Sequence, residues 1–147
     1  MAVTQSGAFG LTLRDAGTGT IVLNYDLETH KTAMFTNSIT PNFDTNTAYG
    51  VSPFNANEVS GTGYTAGGKL LITTTFAIAS SLLVFDAANL AWTVSTITNA
   101  RCALIYADAL AGNNAICLIN FTADFSTVAD TFNLNFSASG ILIFDYS

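Results

Sequence analysis

The side chains able to do chemistry are few and far apart. His30 stands between Thr29 and Lys31 where a strand begins, and it is the chain's one histidine. A Ser-His-Asp set would need it buried beside an activated serine, and no nucleophile-elbow sequence is present. His30 reads as a solvated turn residue. Cys102 and Cys117 lie in apolar strand candidates. They read as buried free thiols, which pack as small hydrophobes. A cross-strand disulfide is the alternative, if the connecting turn centres on Ala109-Leu110. No further Cys or His lies near either one, so neither points to a metal. Asp44-Thr45-Asn46-Thr47 alternates oxygen ligands, but calcium wants six to eight, several of them carboxylates. The ten acidic residues are dispersed, and no pair has the setting of a glycoside-hydrolase dyad. No catalytic residue, cofactor or metal is assigned.

The most informative segment is Glu58-Val59-Ser60-Gly61-Thr62-Gly63-Tyr64-Thr65-Ala66-Gly67-Gly68. Its glycines read G-x-G-x-x-x-G-G. A dinucleotide fingerprint requires G-x-G-x-x-G after a strand and opening a helix, and both spacing and context fail. The glycines instead predict a turn-rich loop with positive φ angles, leading into a strand at Lys69. Tyr49, Phe54 and Tyr64 are the aromatic residues of this region that could meet a neighbour or stack on a sugar.

Elements to position these residues follow from alternation. Phe9, Leu11 and Leu13 alternate with polar or small residues, as do Leu70 to Ile78 and Phe132, Leu134 and Phe136. Period two marks half-buried strands. Strands are predicted near 8–14, 20–25, 30–36, 70–78, 81–85, 90–95, 100–107, 115–122, 132–136 and 141–146, with Asp-, Asn- and Gly-rich turns between them. The fold class is therefore all-β, an antiparallel β-sandwich of immunoglobulin-like or jelly-roll-like type. Residues 37–68 form one long loop region carrying at most a short helix, with Ser52 as its cap and Pro53 at its first position. Strands 101–107, 115–121 and 141–146 are apolar on both faces. A sandwich strand has one inner face, so the other needs cover from the 37–68 loop or from another subunit.

Composition bounds the partners. The chain has 147 residues, half of them apolar and 10% charged, with net charge −6. That length suits one domain, 1–147, and no internal boundary or repeat is visible. Arg14, Lys31, Lys69 and Arg101 are scattered, so no basic patch exists for nucleic acid or for an anionic membrane. The apolar run from Leu70 to Phe85 is broken by threonines and serines and falls short of a spanning helix. The N-terminus has no basic and apolar leader pattern, so the sequons at Asn120 and Asn135 carry no expected sugar.

Residues 57–68 resemble a motif of small virion proteins of tailed bacteriophages, described as head decoration (cement) or minor structural proteins. Further anchors are similar in order: Lys31-Thr32-Ala33-Met34-Phe35, then Thr40-Pro41-Asn42-Phe43-Asp44-Thr45, then Trp92-Thr93-Val94-Ser95-Thr96-Ile97-Thr98-Asn99-Ala100-Arg101, then Ala138-Ser139-Gly140-Ile141-Leu142. They span residues 30 to 147. Residues 1–29 match nothing in the family and read as a variable attachment region. The resemblance implies a non-enzymatic capsid decoration protein on the outer shell, made in the bacterial host cytoplasm. Its implied partners are the major capsid protein and further copies of itself, by analogy as a trimer. A tail or fibre module and a carbohydrate-binding β-sandwich are the alternatives.

Overall fold

The computed structural model describes residues 2–147. It is all-β, antiparallel and sandwich-like, with one short helix. A five-stranded sheet forms its middle, in the order β1 (Gly7–Ala8), β8 (Ala115–Phe125), β7 (Ala100–Tyr106), β2 (Lys31–Phe35) and β3 (Lys69–Leu70). A three-stranded sheet holds β10 (Leu142–Asp145), β5 (Leu82–Asp86) and β4 (Thr75–Ala79), and a ribbon pairs β6 (Leu90–Ser95) with β9 (Asp130–Leu134).

The doubly apolar strands acquire two covers. On one side Met34, Ala103, Ile105 and Cys117 pack with Phe85, Leu90, Trp92, Phe132 and Leu134 of the smaller sheets. On the other, Ala33, Phe35, Cys102, Leu104 and Leu118 pack under Phe9, Ile39 and Phe54. The long loop therefore supplies the second cover from within the chain. Strand β10 departs from the expectation, because none of its residues is fully buried.

The β7–β8 hairpin is found where alternation placed it, but its register rules out a disulfide. Ile105 faces Cys117 and Cys102 faces Asn120. Cys102 belongs to the loop-covered cluster and Cys117 to the opposite one, and both are free and buried. A turn displaced from Ala109-Leu110, together with the irregularity at Ile105/Tyr106, sets Cys117 opposite Ile105 rather than Cys102, and a displacement by an odd number of residues puts the two thiols on opposite faces. Burial pushes both thiols up to about 12.

Several elements differ from the sequence-based expectation. The strand predicted at 8–14 is strand only at Gly7–Ala8, and helix α1 (Gly10–Gly17) follows. Ala8 pairs with Cys117 and Phe9 N–H donates to Ile116 O. Strand β8 begins at Ala115, so the chain runs out of partner there and satisfies its backbone by coiling. Residues 20–25 are not strand, and Tyr25 turns inward to stack on Phe76 with ring centroids 4.5 Å apart. The 70–78 run is divided: β3 belongs to the central sheet and β4 to the smaller one, with Thr73 between them at φ +55°. Strands β5 and β6 exist as predicted but lie in different sheets. No helix forms at 52–58. Phe54 N–H donates to Val51 O and Gly50 N–H to Phe54 O, a turn that drives Phe54 into the core. The Ser52–Pro53 peptide is cis. Residues 2–29 contribute Val3, Phe9 and Tyr25 to the core. No helix among the described residues is long and apolar enough to cross a membrane.

His30 is the largest single correction, because it is fully buried rather than solvated. Its ring stands edge-on to Phe85, and Nε2 lies 3.0 Å from Tyr25 O and 3.2 Å from Asn24 O. Both neighbours are acceptors, so Nε2 carries the proton and donates. Nδ1 is buried without a partner. A second proton there would find no acceptor, and burial lowers the pKa of His30. A lowered folded-state pKa means stability that is present above the unfolded value and lost as pH falls. The thermal midpoint should therefore drop as pH is lowered from about 7 to about 5, through the ordinary histidine range. In His30→Gln that part of the pH dependence should vanish, as followed by circular dichroism.

Candidate functional site

The segment Glu58–Gly68 crosses the edge of the central sheet and is tied down at both ends. Glu58 bridges to Phe35, Val59 N–H donates to Met34 O and Thr36 N–H to Asn57 O. Further on, Thr62 O accepts from Thr96 N–H at 2.8 Å. The glycines have the positive φ angles their spacing predicted, and the chain enters β3 at Lys69 as expected. At Gly68, with φ +77°, a Cβ would collide with the Thr32 carbonyl. At Gly61 it would collide with the Thr96 carbonyl. Glycine is required at both positions by close backbone approach as well as by conformation.

Two of the three aromatic candidates converge on one carboxylate. Tyr49 O–H donates to Glu58 Oε2 at 2.8 Å, and Tyr64 O–H donates to Oε1 at 2.8 Å. Gly67 N–H also donates to Oε1, at 2.8 Å. The Tyr64 oxygen in turn accepts the Met34 N–H at 2.9 Å, so this phenol completes the backbone bonding of β2. Tyr106 O–H donates to Gly67 O at 2.8 Å, fastening the same glycine to β7. The rings are stacked as well, Tyr49 on Tyr106 at 4.6 Å and Tyr64 on Trp92 at 6.1 Å. Phe54 does not join them. It is buried against Phe9 and Phe35.

The chemistry available here is cohesive. Burial first, then the Glu58 carboxylate, pushes Tyr49 up to about 12, and burial likewise raises Tyr64. Both phenols keep their protons at neutral pH and spend them on Glu58. Glu58 accepts three bonds, two at Oε1 and one at Oε2, and each of them fastens the segment to itself or to Tyr49. The sequence pointed to Tyr49 and Tyr64 as residues facing a neighbour, and the structure brings both onto Glu58, which sequence reasoning had not singled out. Its signal was its place as the lone carboxylate at the head of the glycine-rich segment, within reach of both tyrosines.

A second candidate surface was not singled out from the sequence. A groove of about 410 Å³ runs between the far half of β8 and β9. Phe121, Phe132 and Leu134 lie along it, and Phe125, 50% exposed, stands at its mouth. Ser126, Thr127, Thr131, Asn133 and Asn135 line the rest of it, and among the described residues no charged side chain does. The alternation of Phe132 and Leu134 with Asn133 and Asn135 was legible. That the far half of β8, bulged between its pairings with β7 at Asn120 and Phe125, would form the opposite wall was not. Among the described residues no group of acidic, His and Cys side chains could hold a metal ion.

No family model, curated protein or solved structure matches this chain.

Removing the acceptor should cost more than removing either donor. Glu58→Ala leaves two phenols and an amide unpaired and should lower unfolding free energy by about 3 kcal/mol, at about 1–3 kcal/mol for a stranded buried group. Tyr64→Phe, which also strands Met34 N–H, should cost about 2 kcal/mol, and Tyr49→Phe about 1 kcal/mol. Urea denaturation of the three variants checks the order.

Proposed function

We propose that this chain is a non-enzymatic structural protein of a tailed-bacteriophage virion, a decoration protein on the capsid exterior. Its partners in this reading are the major capsid protein and further copies of itself. It is made in the host cytoplasm and acts once incorporated in the particle.

The observation that carries the reading is the use made of the 57–68 segment. This is the stretch that resembles the virion-protein motif, and its Glu58 and Tyr64 are engaged in fastening the chain to itself. A segment that locks a loop over a sheet suits a rigid cladding protein. The acidic balance supports an exterior place, because a protein in the lumen meets packaged DNA phosphates. The scarcity of charge supports a surface that is partly covered in an assembly. An antibody to the purified protein should label heads of intact parent particles in electron micrographs, and the protein should bind expanded capsids that lack it. Tail labelling would favour the tail or fibre alternative, and unlabelled particles would overturn the virion reading.

The groove between β8 and β9 favours a second reading, a carbohydrate-binding module for host attachment. Sugars present apolar faces that pack on aromatic rings, with hydroxyls that pair with amides. An uncharged groove with Phe121 and Phe125 beside Asn133 and Asn135 offers both. Tyr49, Phe54 and Tyr64 do not form that platform, since their rings pack within the protein. A glycan array should then show binding that Phe125→Ala removes. An empty array counts against this reading.

A further inference from the structure

Strand β4 is an unguarded sheet edge. Among the described residues it is hydrogen-bonded to β5 on one side and to no strand on the other. Natural edges are blunted by charges, prolines, bulges or cover, because an exposed row of N–H and C=O groups recruits another strand. Other edges here carry such protection. Strand β3 opens with Lys69, β9 opens with Asp130 and β10 closes with Asp145. The Lys69 ammonium donates to Ala91 O of β6. Strand β4, Thr75-Phe76-Ala77-Ile78-Ala79, has no charge, no proline and a regular ladder with β5. Its Ile78 is 73% exposed, and nearby Ile72 is 56% exposed.

The direction of its free backbone groups follows from the turn. Ser80 and Ser81 both have positive φ, 51° and 64°, as in a two-residue type I′ hairpin. Ala79 and Leu82 then close the turn as a hydrogen-bonded pair, and bonded pairs alternate with non-bonded ones along the ladder. Ala77/Val84 and Thr75/Asp86 are bonded pairs, while Ile78/Leu83 and Phe76/Phe85 are not. Phe85 O bears this out, since it points away from β4 and accepts from Ile141 N–H. The N–H and C=O groups of Phe76 and Ile78 therefore point off the sheet edge.

We infer that β4 pairs with β4 of a second copy of this chain, antiparallel about a two-fold axis at Ala77. This register matches the free groups. Phe76 faces Ile78 of the other copy, and each such pair exchanges both of its N–H···O bonds. Ala77 faces Ala77 across the axis as a non-bonded pair, where strands come closest and a small side chain fits. On the face that carries Tyr25 and Phe144, each exposed Ile78 gains Phe76 of the other copy as its cross-strand neighbour, a pairing that stabilises sheets.

Charge favours a second copy as the occupant. From Ile72 to Phe85 no residue is charged, in a chain of net charge −6. Two such chains can meet along this edge without setting like charges directly opposite one another. The result joins two three-stranded sheets into one continuous sheet. The inference stands apart from the virion reading, because it concerns the purified chain alone and antibody labelling of particles does not bear on it.

Ala77→Cys tests it directly. A non-bonded antiparallel pair has Cα atoms about 4.5 Å apart, within the span a disulfide bridges. Under a mild oxidant the variant should run on a non-reducing gel at twice the 15.4 kDa chain mass, whereas the wild-type, with both native thiols buried, should not crosslink. Adding Ile78→Pro should abolish the crosslink, since it deletes an outward N–H and spares the hairpin's own bonds. Ile78→Lys, which keeps every backbone group and adds an edge charge, should do the same if the proline variant misfolds. Light scattering of the wild-type should give a dimer that Ile78→Lys converts to monomer. A wild-type monomer at all concentrations, no crosslink in Ala77→Cys, or a dimer indifferent to both Ile78 substitutions overturns the pairing.

Discussion

Strands β2, β7 and β8 carry apolar side chains on both faces, and a sheet of that kind must be covered twice. The rest of the molecule meets that requirement. The three-stranded sheet and the β6–β9 ribbon cover one face through Phe85, Trp92, Phe132 and Leu134. The N-terminal segment and the long loop cover the other through Phe9, Ile39 and Phe54. Irregular chain makes a poor cover unless its polar backbone is satisfied and its path is held. The bonds to Glu58 meet that condition, because they tie Tyr49, Tyr64 and Gly67 together while Tyr64 and Tyr106 anchor the group to β2 and β7.

This arrangement changes what the glycine-rich segment stands for. A row of glycines and hydroxyls beside a carboxylate and two tyrosines has the ingredients of a reactive site. Here the carboxylate, the two tyrosines and the Gly67 amide bond to one another. The phenols are held protonated by burial and by Glu58, and the glycines at 61 and 68 allow the segment to lie directly against the backbone at Thr96 and Thr32. The apolar surfaces left open lie elsewhere, along the uncharged groove between β8 and β9 and along the β4 edge. Both are neutral regions of an acidic chain.

The outcome at individual residues shows where reading the chain succeeded. The β7–β8 hairpin, β2, β5, β6 and β9 were legible because each combines β-branched or aromatic residues with a turn signal of Asp, Asn or Gly nearby. The stretch from Phe9 to Leu13 alternates just as well and still became helix, because its partner strand ends at Ala115. Local pattern reports which residues face inward. It does not report whether a neighbour is there to accept the backbone bonds. His30 failed for the same reason, since a histidine between Thr29 and Lys31 looks solvated until the carbonyls of Asn24 and Tyr25 fold back onto its ring.

The chain by itself determined the all-β class, most strand positions, the loop at 37–68 and the need for two covers, since these follow from alternation, turn chemistry and the count of apolar faces. Register, sheet membership and the partners of each polar group were decided in three dimensions. Small displacements in the β7–β8 ladder separated Cys102 from Cys117, a kink near Thr73 sent β3 and β4 to different sheets, and closure of the loop brought Glu58 between Tyr49 and Tyr64. Each of these is a non-local hydrogen-bonding choice, and such choices are settled by which strands and carbonyls become neighbours when the chain closes on itself.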